Sequence, residues 1–188
     1  MDKLIKEAKD SNNYVLYKAH SPIVPEWQDF LDSMDTSYQH YRNDSKDDDR
    51  WASSNILILN KLDPIVFNCF LFENTKLFSS AENTITAIKD IMGRDFSFSK
   101  IIMNFLGKEQ DYHIHKDDHD VISWHCIGNV EWRFYKNIDD SYLEKIHADS
   151  TEYESVILTP GDVMFVPAGL AHQVIIEKPR ASIILGYH

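Results

Sequence analysis

The sequence predicts a mainly β protein, an antiparallel sandwich or barrel with helices packed on its outside. Many short segments have the apolar and β-branched composition of strands and are separated by turn residues. From about Lys100 onward the chain consists almost entirely of such segments, whereas helical periodicity is confined to the first half. The predicted strands are residues 55–59, 65–71, 99–105, 111–114, 121–127, 130–135, 155–158, 163–166, 173–176 and 181–187.

Two helices are predicted in the first half of the chain. The first follows Pro25, which suits an opening turn. The second spans residues 79–92, where Ser79 and Glu82 have the spacing of a capping box and Gly93 can end the helix. The apolar stripes are Trp27, Phe30, Leu31, Met34 and Tyr38 in the first helix, and Ile85, Ile88 and Met92 in the second.

Composition limits the compartment and the partners. The 188 residues fit one domain, and the net charge of −11 argues against nucleic acid as a partner, because each phosphate contact needs Lys or Arg. Cys69 and Cys126 lie in apolar runs and are predicted to be buried free thiols. No secretory segment or membrane-spanning run is recognisable, so a cytoplasmic protein without a membrane partner is expected. Residues 43–50 are acidic and predict a solvated loop.

Three residues of the second half form a candidate metal site. His115 and Asp117 are two positions apart, so their side chains would share one face of an extended strand. His172 follows a predicted tight turn, residues 167–171, that would present it at a strand start. Two imidazoles and one carboxylate form the facial triad that suits non-haem Fe(II) and leaves coordination positions open. The chain has nine histidines, however, so a chance cluster of structural histidines is the alternative.

Two motifs resemble those of known families. Residues 160–172, PGDVMFVPAGLAH, resemble the second cupin motif, Gly-x5-Pro-x-Gly-x2-His, although Ile176 replaces its usual closing Asn. The same stretch is similar to the PGD…P…H segment of JmjC-like hydroxylases, the cupin-like branch of the 2-oxoglutarate oxygenases. Residues 115–117, His-Lys-Asp, resemble the His-x-Asp of those enzymes, with Gly128 and Trp132 at the family's glycine and aromatic positions. The resemblance covers about residues 105–188.

This resemblance implies a fold and an activity. The fold would be a double-stranded β-helix (a cupin or jelly-roll barrel), formed as a single domain over residues 1–188. Residues 1–98 would supply helices and outer strands, and residues 99–188 the core barrel. His115, Asp117 and His172 would hold Fe(II), with 2-oxoglutarate as cosubstrate and O2 as oxidant. The reaction would be a dioxygenase reaction, the hydroxylation of a small molecule or a protein side chain, and the family also allows a homodimer.

A second assignment of the metal ligands competes with this one. The ordinary cupin motif, His-x-His followed by Glu, would use His113 and His115. The positions for its acid hold His119 and Asp120, and Gly128 falls at the wrong spacing from His113. We therefore prefer the His-x-Asp assignment, which leaves His113 as a wall of the pocket.

The resemblance also indicates where 2-oxoglutarate would bind. JmjC-like hydroxylases often place a Lys fifteen residues after the first ligand, and this chain has Val130 there. Arg180 and Ser182 resemble the Arg-x-Ser of other 2-oxoglutarate oxygenases, where Arg binds the distal carboxylate and Ser adds a hydrogen bond. The alternative is that Arg180 belongs to a surface hairpin. Arg133 and Tyr112 are weaker candidates for the same task.

His125 lies ten positions after His115, where the resembled hydroxylases have a polar residue facing the pocket. Alternation along the strand gives it the same face as His115 and Asp117, and puts Trp124 on the opposite face. His125 is predicted to contact substrate or cosubstrate, with a hydrogen-bonded core histidine as the alternative.

Two further functions remain open at the level of sequence. One is a metal-dependent cupin enzyme that does not use 2-oxoglutarate, which the absence of Lys at Val130 favours and Arg180 opposes. The other is a cupin that binds a metal or a small ligand as a sensor, without turnover.

Overall fold

A computed structural model describes residues 2–21, 24–32, 70–72, 81–104, 113–138, 141, 143 and 152–188. Its helices are α1 (Lys3–Ser11) and α2 (Glu82–Met92), and residues 27–32 are also helical. Its strands are β1 (Val15–Tyr17), β2 (Phe70–Phe72), β3 (Phe98–Asn104), β4 (Asp120–Ile127), β5 (Val130–Tyr135), β6 (Glu154–Leu158), β7 (Val163–Val166), β8 (Ala171–Ile175) and β9 (Arg180–Tyr187).

The strands form two antiparallel sheets. The large sheet has the order β1-β7-β4-β9-β3-β2, and the small sheet has the order β6-β5-β8. Apolar residues from both sheets pack in one cluster, which we call the barrel core. The predicted mainly β fold, a double-stranded β-helix with flanking helices, is thereby confirmed.

Alternation along the strands separates the barrel core from a second cluster, the outer core, which lies between the large sheet and the helices. On β4, Val121 belongs to the barrel core, whereas Ile122, Trp124 and Cys126 belong to the outer core. The outward direction of Trp124 and the buried free thiol of Cys126 agree with the prediction. The helices contribute Ile5, Ala8, Phe30, Ile88 and Met92 to the outer core.

The helix boundaries differ from the predicted ones at two places. Helix α1 was not expected, because only Ile5 and Ala8 are buried along it, too few apolar positions to show helical periodicity. Helix α2 begins at Glu82, and its N-cap is Ala81, which makes no side-chain capping bond; Ser79 of the predicted capping box lies outside the described residues. Gly93 ends the helix in the left-handed conformation, as predicted.

Most strand predictions are confirmed to within one or two residues, the usual uncertainty of strand ends. The exception among the described residues is 111–114, because residues 113 and 114 are not in a strand and His115 makes only an isolated bridge with His172. Strand β1 was not predicted. The strand 55–59, the acidic loop 43–50, Cys69 and most of the strand 65–71 lie outside the described residues.

Two buried carboxylates attach the N-terminal part of the chain to the barrel. Asp162 accepts hydrogen bonds from Lys18 Nζ (2.7 Å) and from the backbone N–H of Ala19 (2.9 Å). Asp120 accepts one from Lys9 Nζ (2.7 Å). Since β1 also joins the large sheet beside β7, the early residues are part of the same sheet as the core strands. The division of a single domain at residue 98 stays a prediction.

Neither α1 nor α2, nor the helical residues 27–32, is long and apolar enough to cross a membrane. The cytoplasmic location expected from the sequence stays a prediction.

Candidate metal centre

Three predicted ligands come together at one end of the barrel. One potential donor atom from each of His115, Asp117 and His172 lies within 4.8 Å of the others. His172 Nε2 and Asp117 Oδ2 lie 3.6 Å apart. His172 is on β8, and the bridge between His115 and His172 brings the two rings to a centroid distance of 4.3 Å. A single cation could contact all three groups after small side-chain adjustments.

The hydrogen bonds of the two imidazoles determine which ring nitrogen faces the cluster. His115 Nδ1 lies 2.9 Å from the carbonyl oxygen of His113, and His172 Nδ1 lies 2.9 Å from that of Leu170. A carbonyl oxygen only accepts, so both Nδ1 atoms carry the proton and donate. In the neutral form of each ring, Nε2 is then the nitrogen whose lone pair is available to a metal. Backbone anchoring of this kind is the usual support of metal-binding histidines.

Aromatic packing holds His172 in place. The ring of Trp132 stacks on that of His172 with a centroid distance of 5.2 Å and an interplanar angle of 25°, and Phe134 lies 6.3 Å away. Burial, followed by the neighbouring His115, lowers the pKa of His172. Both causes disfavour the imidazolium, so the ring stays neutral, which is the form that binds a cation.

The turn before His172 is tied to the residues around Asp117. The backbone N–H of Gly169 donates to the carbonyl oxygen of Asp117 (2.9 Å), and that of Ala168 donates to Asp120 Oδ1 (3.1 Å). The same carboxylate of Asp120 lies 3.3 Å from Arg94 Nη2. These bonds couple the two segments that carry the candidate ligands.

The geometry favours the His-x-Asp assignment over the His-x-His one. Among the residues that the structure describes, the group that could hold a metal includes Asp117 and omits His113. The carbonyl of His113 instead supports the ring of His115. His119 interacts with Asp118 through a 2.6 Å hydrogen bond.

The candidate cosubstrate residues lie further inside the barrel. Arg180 and Ser182 are inward-facing residues of β9, because Ala181 and Ile183 between and beyond them belong to the outer core. Arg180 is 1% exposed, so the alternative of a surface hairpin residue is wrong. Arg180 Nη1 donates to Ser182 Oγ at 3.2 Å, and Ser182 Oγ lies 2.9 Å from His125 Nδ1. Three of the predicted residues are therefore in direct contact.

Arg133, one of the two weaker candidates, is not brought to this site. Arg133 alternates with the inward Trp132 and Phe134 on β5, so it faces away from the barrel core. There it pairs with Glu131 at 2.9 Å and lies over the ring of Tyr153 at 4.8 Å. Tyr112 lies outside the described residues.

The sequence matches the JmjC domain family over residues 77–188, more than half of the chain. The chain belongs to the JmjC domain family. Its JmjC domain thus includes α2, strands β3–β9 and all three candidate ligands. No curated protein sequence matches the chain significantly.

Some solved structures are similar to part of this chain at low sequence identity. The ribosomal oxygenase YcfD from Escherichia coli, solved with cobalt and 2-oxoglutarate, is 17% identical, with a TM-score of 0.43 over 56% of this chain and 28% of its own. The lyase DddQ from Ruegeria pomeroyi, which acts on DMSP, is 18% identical (TM-score 0.37; 50% of this chain, 39% of its own). Hydroquinone 1,2-dioxygenase from Sphingomonas sp. TTNP3 is 16% identical (TM-score 0.39; 48% and 59%). This chain therefore spans under a third of the ribosomal oxygenase.

Sequence reasoning missed the backbone groups of this JmjC domain that direct its side chains. Three backbone carbonyl oxygens each accept a hydrogen bond from an imidazole nitrogen, those of His113, Leu170 and Gly128. Every residue has such an oxygen, so no sequence signal marks them. Asp120 was considered only as an alternative ligand, and its contacts with Lys9 and Arg94 join residues too far apart in the chain to be paired by inspection.

Proposed function

We propose that this protein is an Fe(II)- and 2-oxoglutarate-dependent oxygenase that hydroxylates a small molecule or a protein side chain. The observation that carries the proposal is the convergence of His115, Asp117 and His172 within 4.8 Å, with both Nδ1 atoms anchored on backbone carbonyls. Membership of the JmjC domain family is the second support.

The donor set fits ferrous iron. Two neutral imidazoles and one carboxylate suit Fe(II), and three protein donors leave coordination positions for cosubstrate and O2. Bound iron would supply the redox chemistry that couples reduction of O2 to decarboxylation of 2-oxoglutarate and oxidation of the substrate. The protein's own contribution is to bind and orient these molecules and to exclude water, for which the packed Trp132 and Phe134 are suited.

Arg180 is our candidate for binding the distal carboxylate of 2-oxoglutarate. Its guanidinium is buried inside the barrel, where a cation favours a carboxylate as its partner and can bind it in two-point geometry. The positive charge would compensate for Val130, which stands where the resembled hydroxylases often have Lys. The proposal retains the single domain, the cytoplasmic location and the homodimer as expectations, without nucleic acid or a membrane as partner.

One observation favours a second candidate function. Val130 contributes no charge, and a JmjC-type barrel that holds a metal without binding 2-oxoglutarate would need none there. Such a protein would be another cupin enzyme or a ligand-binding sensor. Fold alone does not decide between these functions.

Anaerobic absorption spectroscopy tests the proposal. Fe(II) and then 2-oxoglutarate are added to the purified protein, and a weak visible metal-to-ligand charge-transfer band is expected when 2-oxoglutarate chelates the bound iron. Arg180→Lys is the matched variant, which keeps the positive charge but loses the two-point geometry; it should retain iron and need more 2-oxoglutarate to reach the same band. Stoichiometric iron without a band would replace the proposal by the second candidate.

A further inference from the structure

His125, Ser182 and Arg180 form a hydrogen-bonded chain whose direction can be worked out. His125 Nε2 lies 2.9 Å from the carbonyl oxygen of Gly128, which only accepts, so Nε2 carries a proton and donates. Burial, and then the positive charge of Arg180, lower the pKa of His125 to about 4, so the ring holds only that one proton near neutral pH.

The remaining assignments follow from this one. Because His125 Nδ1 is unprotonated, it accepts, and the hydroxyl of Ser182 donates to it over 2.9 Å. Arg180 has only donors, so its Nη1 donates to the oxygen of Ser182 over 3.2 Å. All the hydrogen bonds therefore point the same way: Arg180 donates to Ser182, Ser182 donates to His125, and His125 donates to the carbonyl oxygen of Gly128. All three side chains are at most 1% exposed, so solvent does not compete for these bonds.

We infer that His125 and Ser182 are positioning residues, which hold the guanidinium of Arg180 in place for a carboxylate and do not themselves bind it. Since the only proton of the Ser182 hydroxyl is given to His125, that hydroxyl cannot also donate to a ligand. His125 likewise gives its only proton to Gly128. This replaces the direct contacts expected from the sequence, and it rests on the proposed function in so far as the carboxylate belongs to 2-oxoglutarate.

The backbone around Gly128 supports the same arrangement. Gly128 has φ +76°, and a Cβ at this position would clash with the carbonyl oxygen of Pro179 and lie 3.4 Å from Cα and Cβ of Arg180. The segment that accepts from His125 thus also packs directly against the backbone of Arg180. The two ends of the hydrogen-bonded chain, Gly128 and Arg180, therefore lie on two backbone segments that pack against each other.

Nuclear magnetic resonance of the zinc-loaded full chain tests the directions without 2-oxoglutarate. Long-range 1H–15N correlation distinguishes a protonated imidazole nitrogen from an accepting one. We expect His125 to be the neutral tautomer with the proton on Nε2 between pH 6 and pH 8. A proton on Nδ1, or a doubly protonated ring in this range, would overturn the inference whatever the protein binds.

Paired variants test the positioning role. His125→Asn keeps an acceptor near the position of Nδ1, and His125→Gln keeps a donor near that of Nε2 but loses the acceptor. We expect Ser182→Ala and His125→Gln to weaken 2-oxoglutarate binding to the iron-loaded protein roughly tenfold, and His125→Asn to restore most of the loss. Binding of 2-oxobutanoate, which chelates iron but has no distal carboxylate, should be unchanged in all three. Thermal unfolding of each variant identifies any that fail to fold.

A double-mutant cycle separates positioning from direct contact. In an Arg180→Lys background, Ser182→Ala should cause little further loss of 2-oxoglutarate affinity, because Ser182 acts through the guanidinium. A second tenfold loss in that background would mean that Ser182 touches the ligand, and would overturn the inference while leaving the proposed function intact. If the wild-type protein binds iron but no 2-oxoglutarate, both the proposed function and the positioning role are wrong. The nuclear magnetic resonance experiment still determines the tautomer of His125 in that case.

Discussion

The two ends of the barrel interior each contain histidines, and the hydrogen bonds of these histidines differ. At the candidate metal centre, His115 and His172 use one ring nitrogen each for a backbone carbonyl and turn the other toward Asp117. At the opposite end, both ring nitrogens of His125 are hydrogen-bonded within the protein, to Ser182 and to Gly128.

This difference distinguishes imidazoles that a bound cation would stabilise, His115 and His172, from one that it would not, His125. A buried imidazole with one nitrogen turned toward a carboxylate gains from a cation between them, whereas a ring with both nitrogens satisfied gains nothing. The residue type is the same in both places, and the neighbouring backbone carbonyls decide its role. Substitutions at the first end should therefore change metal binding, and those at the second should change stability and the orientation of Arg180.

Asp117→Ala should have the largest effect. Removal of the only carboxylate of the triad leaves two imidazoles, so iron content should fall from stoichiometric to near zero while the thermal unfolding of the metal-free protein stays almost unchanged. Metal analysis after anaerobic loading and desalting measures the change.

His113→Ala is the matched control for Asp117→Ala, because the His113 side chain lies outside the triad and the substitution keeps the carbonyl that accepts from His115, although it removes a ring 5.4 Å from that of His115. It should keep its iron. If His113→Ala empties the site and Asp117→Ala does not, the His-x-His assignment is correct and the comparison between the two ends of the barrel loses its basis.

The sequence predicted the proximity of His115, Asp117 and His172 better than it predicted the hydrogen bonds of His125. The spacing of two residues between His115 and Asp117 and the glycine-containing turn before His172 are local features of the sequence. The three side chains lie close together even though residues 113 and 114 are not in the strand expected there. The direction of the hydrogen bonds around His125 depends instead on Gly128 and Ser182, from a turn and from a different strand. Such register-dependent contacts are not visible in the order of residues.

The same limit applies to the fold. Runs of apolar and β-branched residues bounded by turn residues were sufficient to predict β4, β5, β7 and β9. Helix α1 and strand β1 were missed, because they are short and are stabilised by contacts with residues far away in the chain. Lys9 with Asp120 and Lys18 with Asp162 are two of these contacts, each spanning more than 100 residues.

Substitution of one glycine at each end of the barrel allows the rigidity of the metal centre to be compared with that of the segment around His125. Gly128 and Gly169 both have positive φ, +76° and +80°, but a Cβ on Gly169 would meet nothing within 4 Å. Gly169→Ala should cost about 1 kcal/mol from backbone strain alone. Gly128→Ala adds the clash with Pro179 and should cost about 3 kcal/mol or more.

Urea unfolding of the two glycine variants measures the difference, and 2-oxoglutarate titration should show loss of affinity for Gly128→Ala. Equal destabilisation by the two substitutions would mean that the segments around Gly128 and Arg180 separate easily, which contradicts a rigid attachment of Arg180.

The pH dependence of stability should report the burial of His125. Its folded pKa of about 4 lies below the usual 6.5 of the unfolded chain, so the unfolded state takes up the proton first as the pH falls. Its effect on stability is absent above pH 6.5, and stability is lost from there down toward pH 4. Between pH 7 and pH 5 the loss from this group should be about 2 kcal/mol.

His125→Asn removes the titrating group and should flatten the stability profile by that amount in urea unfolding at pH 7 and pH 5. Since His172 titrates in both proteins, the difference between them isolates His125. Parallel profiles would show that the pKa of His125 is not lowered on folding, which would contradict the effect of burial and of Arg180 on this ring.

The smallest effect is expected at Ser123, a buried serine like Ser182. Ser123 and Ser182 are both 0% exposed and face the barrel interior, yet Ser182 makes two side-chain hydrogen bonds and Ser123 Oγ has no partner among the described residues. Ser182→Ala should cost about 1–3 kcal/mol in the metal-free protein, because it leaves His125 Nδ1 unsatisfied. Ser123→Ala should change the free energy of unfolding by less than about 0.5 kcal/mol. Ser123→Ala could instead be neutral in the metal-free protein but destabilise the protein loaded with iron and 2-oxoglutarate. The Ser123 hydroxyl would then gain its hydrogen-bond partner from the bound ligands, and the binding site would include β4 at Ser123 as well as the triad.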